Sequence, residues 1–364
     1  MDIKSLIVNK SALRRIFFIY VPVALALYLL LQIAAFMTDK ASPPLDLARS
    51  FAGKLPVVYS EEYNIEFFGL EKLHHFDSTK YRKIMAALLA KNALKKDQVI
   101  AAAEPDAELL ALAHGPEYLE GLNSSLTLAK ILELNALKFL PAHLARNLIV
   151  RPMLYQTGGG LLAAKAALKY GWAINLGGGF HHASHDNGEG FCAIADISLI
   201  VKYLRREKLA QKVMIVDLDA HQGNGHETDF TGDADVFILD AYNREIFPGD
   251  AVAKQGIDLA VELGSFTADA EYLQKVKTAL DAAFAEFRPD IVIYNAGTDI
   301  LENDPLGALD ISPEGVAARD EMVFGKALGA KVPVVMLLSG GYQPSNAEVI
   351  ADSILNLREK FKLF

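Results

Sequence analysis

The sequence predicts an α/β protein built on a central parallel sheet flanked by helices, with an N-terminal transmembrane helix. Three observations lead there. Four short apolar runs end in polar or glycine-rich residues. Trp172 to Leu176 runs into Gly177-Gly178-Gly179-Phe180-His181-His182, and Val213 to Val216 into Asp217-Leu218-Asp219-Ala220-His221. Ile291 to Tyr294 runs into Asn295-Ala296-Gly297-Thr298-Asp299, and Val332 to Leu338 into Ser339-Gly340-Gly341-Tyr342. Patterns of helical period separate these runs, which makes the strands parallel. The third observation is one long uncharged apolar stretch near the N-terminus.

In chain order, residues 1–15 are a basic tail, with Lys4, Lys10, Arg14 and Arg15 against Asp2. From Ile16 to Met37 the chain is apolar apart from Gln32 and carries no charge over 22 residues. That length crosses a bilayer core of about 30 Å. The basic tail before it, with Asp39 and Lys40 after it, points to a cytoplasmic N-terminus. It leaves the side of the following domain open. A cleaved signal peptide or a buried helix are the rivals, but the stretch exceeds a usual h-region of about 7 to 15 residues and lacks an A-x-A site. Thr38 to Leu55 contains Ser42-Pro43-Pro44 and reads as a linker, so the domains are 1–15, 16–37, 38–55 and 56–364. Within the last, Tyr81 to Leu94, Ala107 to His114, Leu161 to Tyr170, Asp269 to Phe287 and Pro313 to Leu328 have the apolar spacing of helices that cover a sheet. No internal repeat or low-complexity tract interrupts them.

Composition narrows the function. The formal charge is −9, and since residues 1–15 hold four bases and one acid, the remainder stands at −12. An acidic body repels a phosphate backbone, so no direct nucleic-acid binding is expected. The single cysteine, Cys192, excludes an internal disulfide.

The chemistry gathers at the strand ends, where ligands bind in an open parallel sheet. Side chains alternate along a strand, so Asp217, Asp219 and His221 point the same way. Asp219, His221 and Asp299 make a nitrogen and oxygen donor set that suits Zn²⁺, or Fe²⁺, and leaves a position open for water. A strand-end turn with solvated acids is the plainer reading of the D-x-D-x-H run alone. Cys192 has no cysteine partner and is not expected as a ligand.

The motifs G-G-G-F-H-H, D-L-D-A-H-Q-G-N-G, N-A-G-T-D and S-G-G-Y resemble the signature series of the zinc-dependent histone deacetylase family, most nearly its class IV branch. Val58-Tyr59-Ser60, Gly69-Leu70-Glu71-Lys72-Leu73-His74, Gln156-Thr157-Gly158-Gly159, Gly190-Phe191-Cys192 and Ile246-Phe247-Pro248-Gly249-Asp250 agree, in the same order, from about Pro56 to the C-terminus. The resemblance implies the arginase/deacetylase fold and a metal-dependent amidohydrolase acting on acyl-lysine. It further implies that His182 is the general base and His181 its electrostatic partner. Asp217 is then the carboxylate that holds His181, its backbone helping to hold a structural K⁺ or Na⁺. Asn224 becomes the partner of His182, and Tyr342 the donor to the oxyanion. A neutral amide at Asn224 stabilises imidazolium less than a carboxylate does, which favours a neutral base. Phe191, Phe247, Leu306 and Gly190 match positions that line the acyl-lysine channel. Taken without the resemblance, the histidines read as satisfied structural residues, and the phenylalanines, Leu306 and Tyr342 as ordinary packing.

Two departures stand out. Pro116 occupies the place where many relatives carry an aspartate that clamps the substrate backbone, and His75 stands where a proline is usual. Two functions from different classes remain: an amidohydrolase acting on acyl-lysine proteins or small acylated amines such as acetylpolyamines, and a membrane-tethered module that binds acylated ligands without turnover. Both imidazoles together with Tyr342 favour the hydrolase. The acyl group is acetyl or a long fatty chain; class IV relatives are associated with long fatty acyl groups, so long-chain acyl-lysine is expected to be processed better than acetyl-lysine.

Overall fold

The computed structural model describes residues 43–66 and 77–364, together with the isolated positions Phe18 and Val23. The chain divides into two compact units, Met1–Pro43 and Pro44–Phe364. Among the described residues no helix is long and apolar enough to cross a membrane. The expected span 16–37 lies, but for those two positions, outside them, as do His75 and the Gly69 to His74 segment.

The second unit is organised by one eight-stranded sheet. Its strands are β1 (Val57–Tyr59), β2 (Ile100–Ala101), β3 (Trp172–Asn175), β4 (Val213–Asp217), β5 (Val236–Asn243), β6 (Leu259–Leu263), β7 (Ile291–Asn295) and β8 (Val334–Leu337). They lie in the order β2-β1-β3-β8-β7-β4-β5-β6, and every neighbouring pair is parallel. The four runs read from the sequence form the centre, buried on both faces, as continuous apolar strands of a parallel sheet must be. The other four strands were not among those runs. Of these, β6 buries only alternate residues and closes one edge.

The flanking helices start and stop for local reasons. The helix Lys80–Ala90 ends earlier than the spacing to Leu94 suggests, because Asn92 turns into the left-handed region and Ala93 N–H bonds back to Leu88 O at 2.9 Å. Ala107–Ala113 is capped by the Asp106 carboxylate on Leu109 N–H. The largest correction concerns the helix expected from Leu161, which instead runs Arg151–Tyr170 through Gly158-Gly159-Gly160. Glycine costs a helix about 1 kcal/mol against alanine. Close packing requires it here: a Cβ on Gly159 would stand 1.8 Å from the Tyr63 hydroxyl.

The linker expectation is also corrected in its described part. Residues 44–55 belong to the second unit; Phe51 is buried, and Leu45, Leu47 and Leu55 pack against the core. Tyr170 OH donates to Phe51 O at 3.0 Å, and Lys165 Nζ to Leu47 O. These bonds tie the stretch between the prolines and Leu55 to the helix Arg151–Tyr170, where a solvated linker would run free.

Candidate metal centre and active site

One register row crosses the sheet, pairing Asn175 with Leu337, Leu337 with Asn295, Asn295 with Asp217, and Asp217 with Asp240. The four polar strand-end segments therefore begin at one height and converge just beyond it. Asp219, His221 and Asp299, all buried, meet there with ligand atoms within 4.8 Å of one another.

Hydrogen bonds aim these three groups. Asp219 Oδ2 accepts from Gly340 N–H at 2.8 Å and Oδ1 from His221 N–H at 3.0 Å, while Asp299 Oδ1 accepts from Ala220 N–H at 2.9 Å. His221 Nδ1 lies 2.8 Å from Asp299 Oδ2 and 3.1 Å from Asp219 Oδ1. Burial and the nearby Asp219 charge push Asp299 up to about 7. Burial would also raise Asp219, but His181 and His221 hold it well below the ordinary carboxylate range. Burial disfavours charge on His221, yet the two carboxylates raise it to about 10. Two buried carboxylates competing for positive charge are a donor set that a divalent cation fits.

The two adjacent histidines have contrasting partners. His181 Nδ1 lies 3.0 Å from Asp217 Oδ2; burial opposes its charge, but Asp217 and Asp219 overcome it and hold His181 protonated to about 9. His182 Nδ1 lies 2.8 Å from Asn224 Oδ1, and burial, followed by the charges of His181 and His221, keeps His182 well below its ordinary value. The ring centroids of the pair are 4.0 Å apart. Asp217 has four donors: Asp219 N–H and Asn295 Nδ2 on Oδ1, His181 and His226 on Oδ2, at 2.8 to 3.1 Å.

Tyr342, half-buried, faces His221 and Phe191 with ring centroids 6.2 Å from each. Its N–H donates to Asp304 Oδ2 at 2.9 Å, and burial and the carboxylates of Asp299 and Asp219 push its phenol well above the usual range. A phenol held protonated can donate but not act as a base.

A cavity of about 190 Å³ opens beside these groups, lined by His181, His182, Tyr342, Gly190 and Phe191 among others. Phe247 and Leu306, expected with them, are not on its wall. Phe247 packs against His182 at 5.0 Å between centroids and is 42% exposed. Leu306 N–H is bonded to Asp304 Oδ1, on the loop that also holds Tyr342. Gly190 is required where it stands, since a Cβ would lie 2.4 Å from His182 Cδ2. Cys192 donates to Gly190 O and lines the cavity, apart from the three clustered ligands.

Several participants escaped the sequence reading. The cavity wall comes largely from Leu132, Leu134, Leu137, Leu148, Ile149 and Met153, whose residue types are those of any core. Glu189 and His226, which touch Asn224 and Asp217, carry no motif of their own. Arg319 is fully buried and donates to Leu218, Ala296 and Gly297 carbonyls, clasping the backbones that lead to Asp219 and Asp299. Only its position in a helix pattern, facing inward, hinted at this. Pro116 opens the helix Pro116–Gly121, a position that suits its missing N–H.

Comparison with known proteins agrees with this geometry. Residues 74–358 match the histone deacetylase domain family. The chain is 49% identical over 304 residues to histone deacetylase 2 of Arabidopsis thaliana, covering 84% of this chain and 79% of that one. It is 28% identical over 274 residues to the acetoin utilization protein AcuC of Bacillus subtilis, covering 68% and 67%. The crystal structure of the HDA15 HD domain superposes with a TM-score of 0.68 at 21% identity, over 85% of this chain and 89% of that one, a likeness of fold.

Proposed function

This chain belongs to the histone deacetylase family, and we propose that it is a class IV-like zinc hydrolase that removes acyl groups from lysine side chains. The observation that carries the reading is the meeting of Asp219, His221 and Asp299 with His182 and Tyr342 at one point. Asp219, His221 and Asp299 would hold the metal, Zn²⁺ or Fe²⁺. Bound there, a divalent ion supplies Lewis acidity, lowering the pKa of water toward about 7 and polarising a carbonyl.

The protein's own groups do the rest. His182, neutral because burial and its charged neighbours oppose a further proton, takes the proton of the attacking water on Nε2 and delivers it to the leaving amine. His181, charged against Asp217, adds a fixed positive field on that side. Tyr342 donates its hydroxyl proton to the oxygen that becomes anionic. Gly190 and Phe191 lead the lysine stem inward, and the apolar cavity accepts the acyl chain, which supports long acyl groups over acetyl. Phe247 guards the His182 side of the entry. A K⁺ or Na⁺ held by backbone near Asp217 belongs to the same proposal, as does a membrane tether through residues 16–37.

Metal removal is the test. Chelation is expected to abolish hydrolysis of acyl-lysine peptides and Zn²⁺ or Fe²⁺ to restore it, and Asp299→Ala to lose the metal by elemental analysis. Full activity in metal-free protein rejects the reading. Running the full chain beside residues 44–364, with acetylpolyamines as a second substrate class, also reports whether residues 1–43 hold the protein in the membrane fraction.

A further inference from the structure

An amide has a donating end and an accepting end, and which way Asn224 points decides what it can ask of His182. Asn224 Oδ1 lies 2.8 Å from His182 Nδ1, and Asn224 Nδ2 donates to Glu189 Oε1 at 2.6 Å. Both Asn224 and His182 are buried, at 5% and 4% exposure, so neither can trade these partners for water. A carboxylate can only accept, so Glu189 draws the NH₂ end toward itself whichever way the amide began. The carbonyl end is then left facing the imidazole. A carbonyl too can only accept, so His182 must carry its proton on Nδ1 and keep the Nε2 lone pair free.

We propose that Glu189 is a positioning residue that selects the tautomer of His182 through the Asn224 amide. The inference rests on the reading of His182 as the general base, because only an Nε2 lone pair matters to such a base. The other rings beside His182 do not compete for Nδ1: His181, Phe247 and His221 meet it by ring contacts, at centroid distances of 4.0, 5.0 and 5.9 Å. Glu189 is itself fixed, half-buried between Gly188 and Gly190, with its carbonyl accepting from Cys192 N–H at 2.8 Å. The carboxylate thus sits one amide away from the base. It orients the imidazole without placing a negative charge against it.

The test reverses the chain of donors. A lysine can only donate, so Glu189→Lys turns the Asn224 carbonyl outward, sets its NH₂ against His182 Nδ1, and moves the ring proton to Nε2. Glu189→Gln permits both amide orientations, and Glu189→Asp keeps the original one. In the full chain with ¹⁵N-labelled histidine, long-range ¹H–¹⁵N correlation reads which ring nitrogen of His182 is protonated, independently of turnover. Wild type and Glu189→Asp are expected to show Nδ1–H, Glu189→Gln a mixture, and Glu189→Lys Nε2–H. The expected kcat/KM is near wild type for Glu189→Asp, about tenfold lower for Glu189→Gln and about 100-fold lower for Glu189→Lys, within the range for groups that orient ligands at one remove. A wild-type Nε2–H signal, or an Nδ1–H signal and unchanged rate in Glu189→Lys, overturns the inference. His182→Phe separates the two ideas: if it retained activity, the base reading would fall while the tautomer assignment stood on its spectrum.

Discussion

The strand-end floor beside the cavity and the segment 132–153 that walls it are held by different forces. The floor is polar, and hydrogen bonds and charge fix it: Asp219 and Asp299 are wholly buried, and Arg319 ties their backbones to Asp320, whose carboxylate also accepts from Tyr294 and Ser353. Removing one partner of such a buried ion pair costs about 3 to 5 kcal/mol, because the other is left uncompensated. The wall is a succession of short irregular turns, including a 3-10 turn at Asn135–Phe139 and a π turn at Arg146–Val150. Aliphatic side chains line it. Directional bonds place reacting groups to within fractions of an ångström, whereas apolar contact asks only for volume. Under the proposed function, chemistry would therefore belong to the floor and acyl capacity to the wall.

The sharpest way to break that division is Tyr342→Phe. It removes one donor to the oxyanion and is expected to lower kcat by about 10² to 10³, by the same factor for every acyl length. Steady-state kinetics on acetyl- and myristoyl-lysine forms of one peptide measures it. A loss that varied with chain length would show that floor and wall act together.

A smaller effect separates two buried histidines. On the floor, His181 is held charged up to about 9. Away from it, His114 is neutral: Nδ1 donates to His185 O at 3.1 Å, Nε2 accepts from Ala195 N–H at 2.9 Å, and burial drives it down to about 4. Between pH 6.5 and 4 the unfolded chain takes up a proton that folded His114 refuses, so its contribution to stability is present above 6.5 and lost as the pH falls. About 2 to 3 kcal/mol should disappear between pH 7 and pH 4.5. Urea unfolding of wild type and His114→Gln at the two pH values checks this; equal pH dependence in both would remove His114 from the account.

The mildest prediction concerns the wall alone. Leu148→Phe fills part of the cavity and is expected to cost about 0.8 kcal/mol, roughly fourfold in kcat/KM, for each methylene no longer accommodated. Acetyl-lysine turnover and bound metal should stay as they are. An acyl-length profile that already peaks at acetyl in the wild type rejects the long-chain reading itself.

How much of this was legible beforehand follows from the range of each signal. Apolar runs with punctuation are local, so the four central strands and the chemistry at their ends could be read directly; the expected strand alternation did not extend so far, because β4 ends at Asp217 and Asp219 and His221 meet on the bend that follows it. Asp299, 78 residues from His221, was put in the donor set on its residue type and strand-end position, and Tyr342 was placed by resemblance; their meeting depends on β7 and β8 lying beside β4 and β3, an order no local pattern encodes. The helix through Gly158-Gly159-Gly160 was misread because glycine propensity is local while the packing against Tyr63 that requires it is not. Leu137 and Leu148 look like core in any sequence, and Glu189 looks like a loop acid between glycines. Residue type and periodicity determined which segments carry chemistry. Only tertiary structure decided which leucines enclose empty space and which carboxylate faces Asn224, because both are matters of distance between parts of the chain that share no local pattern.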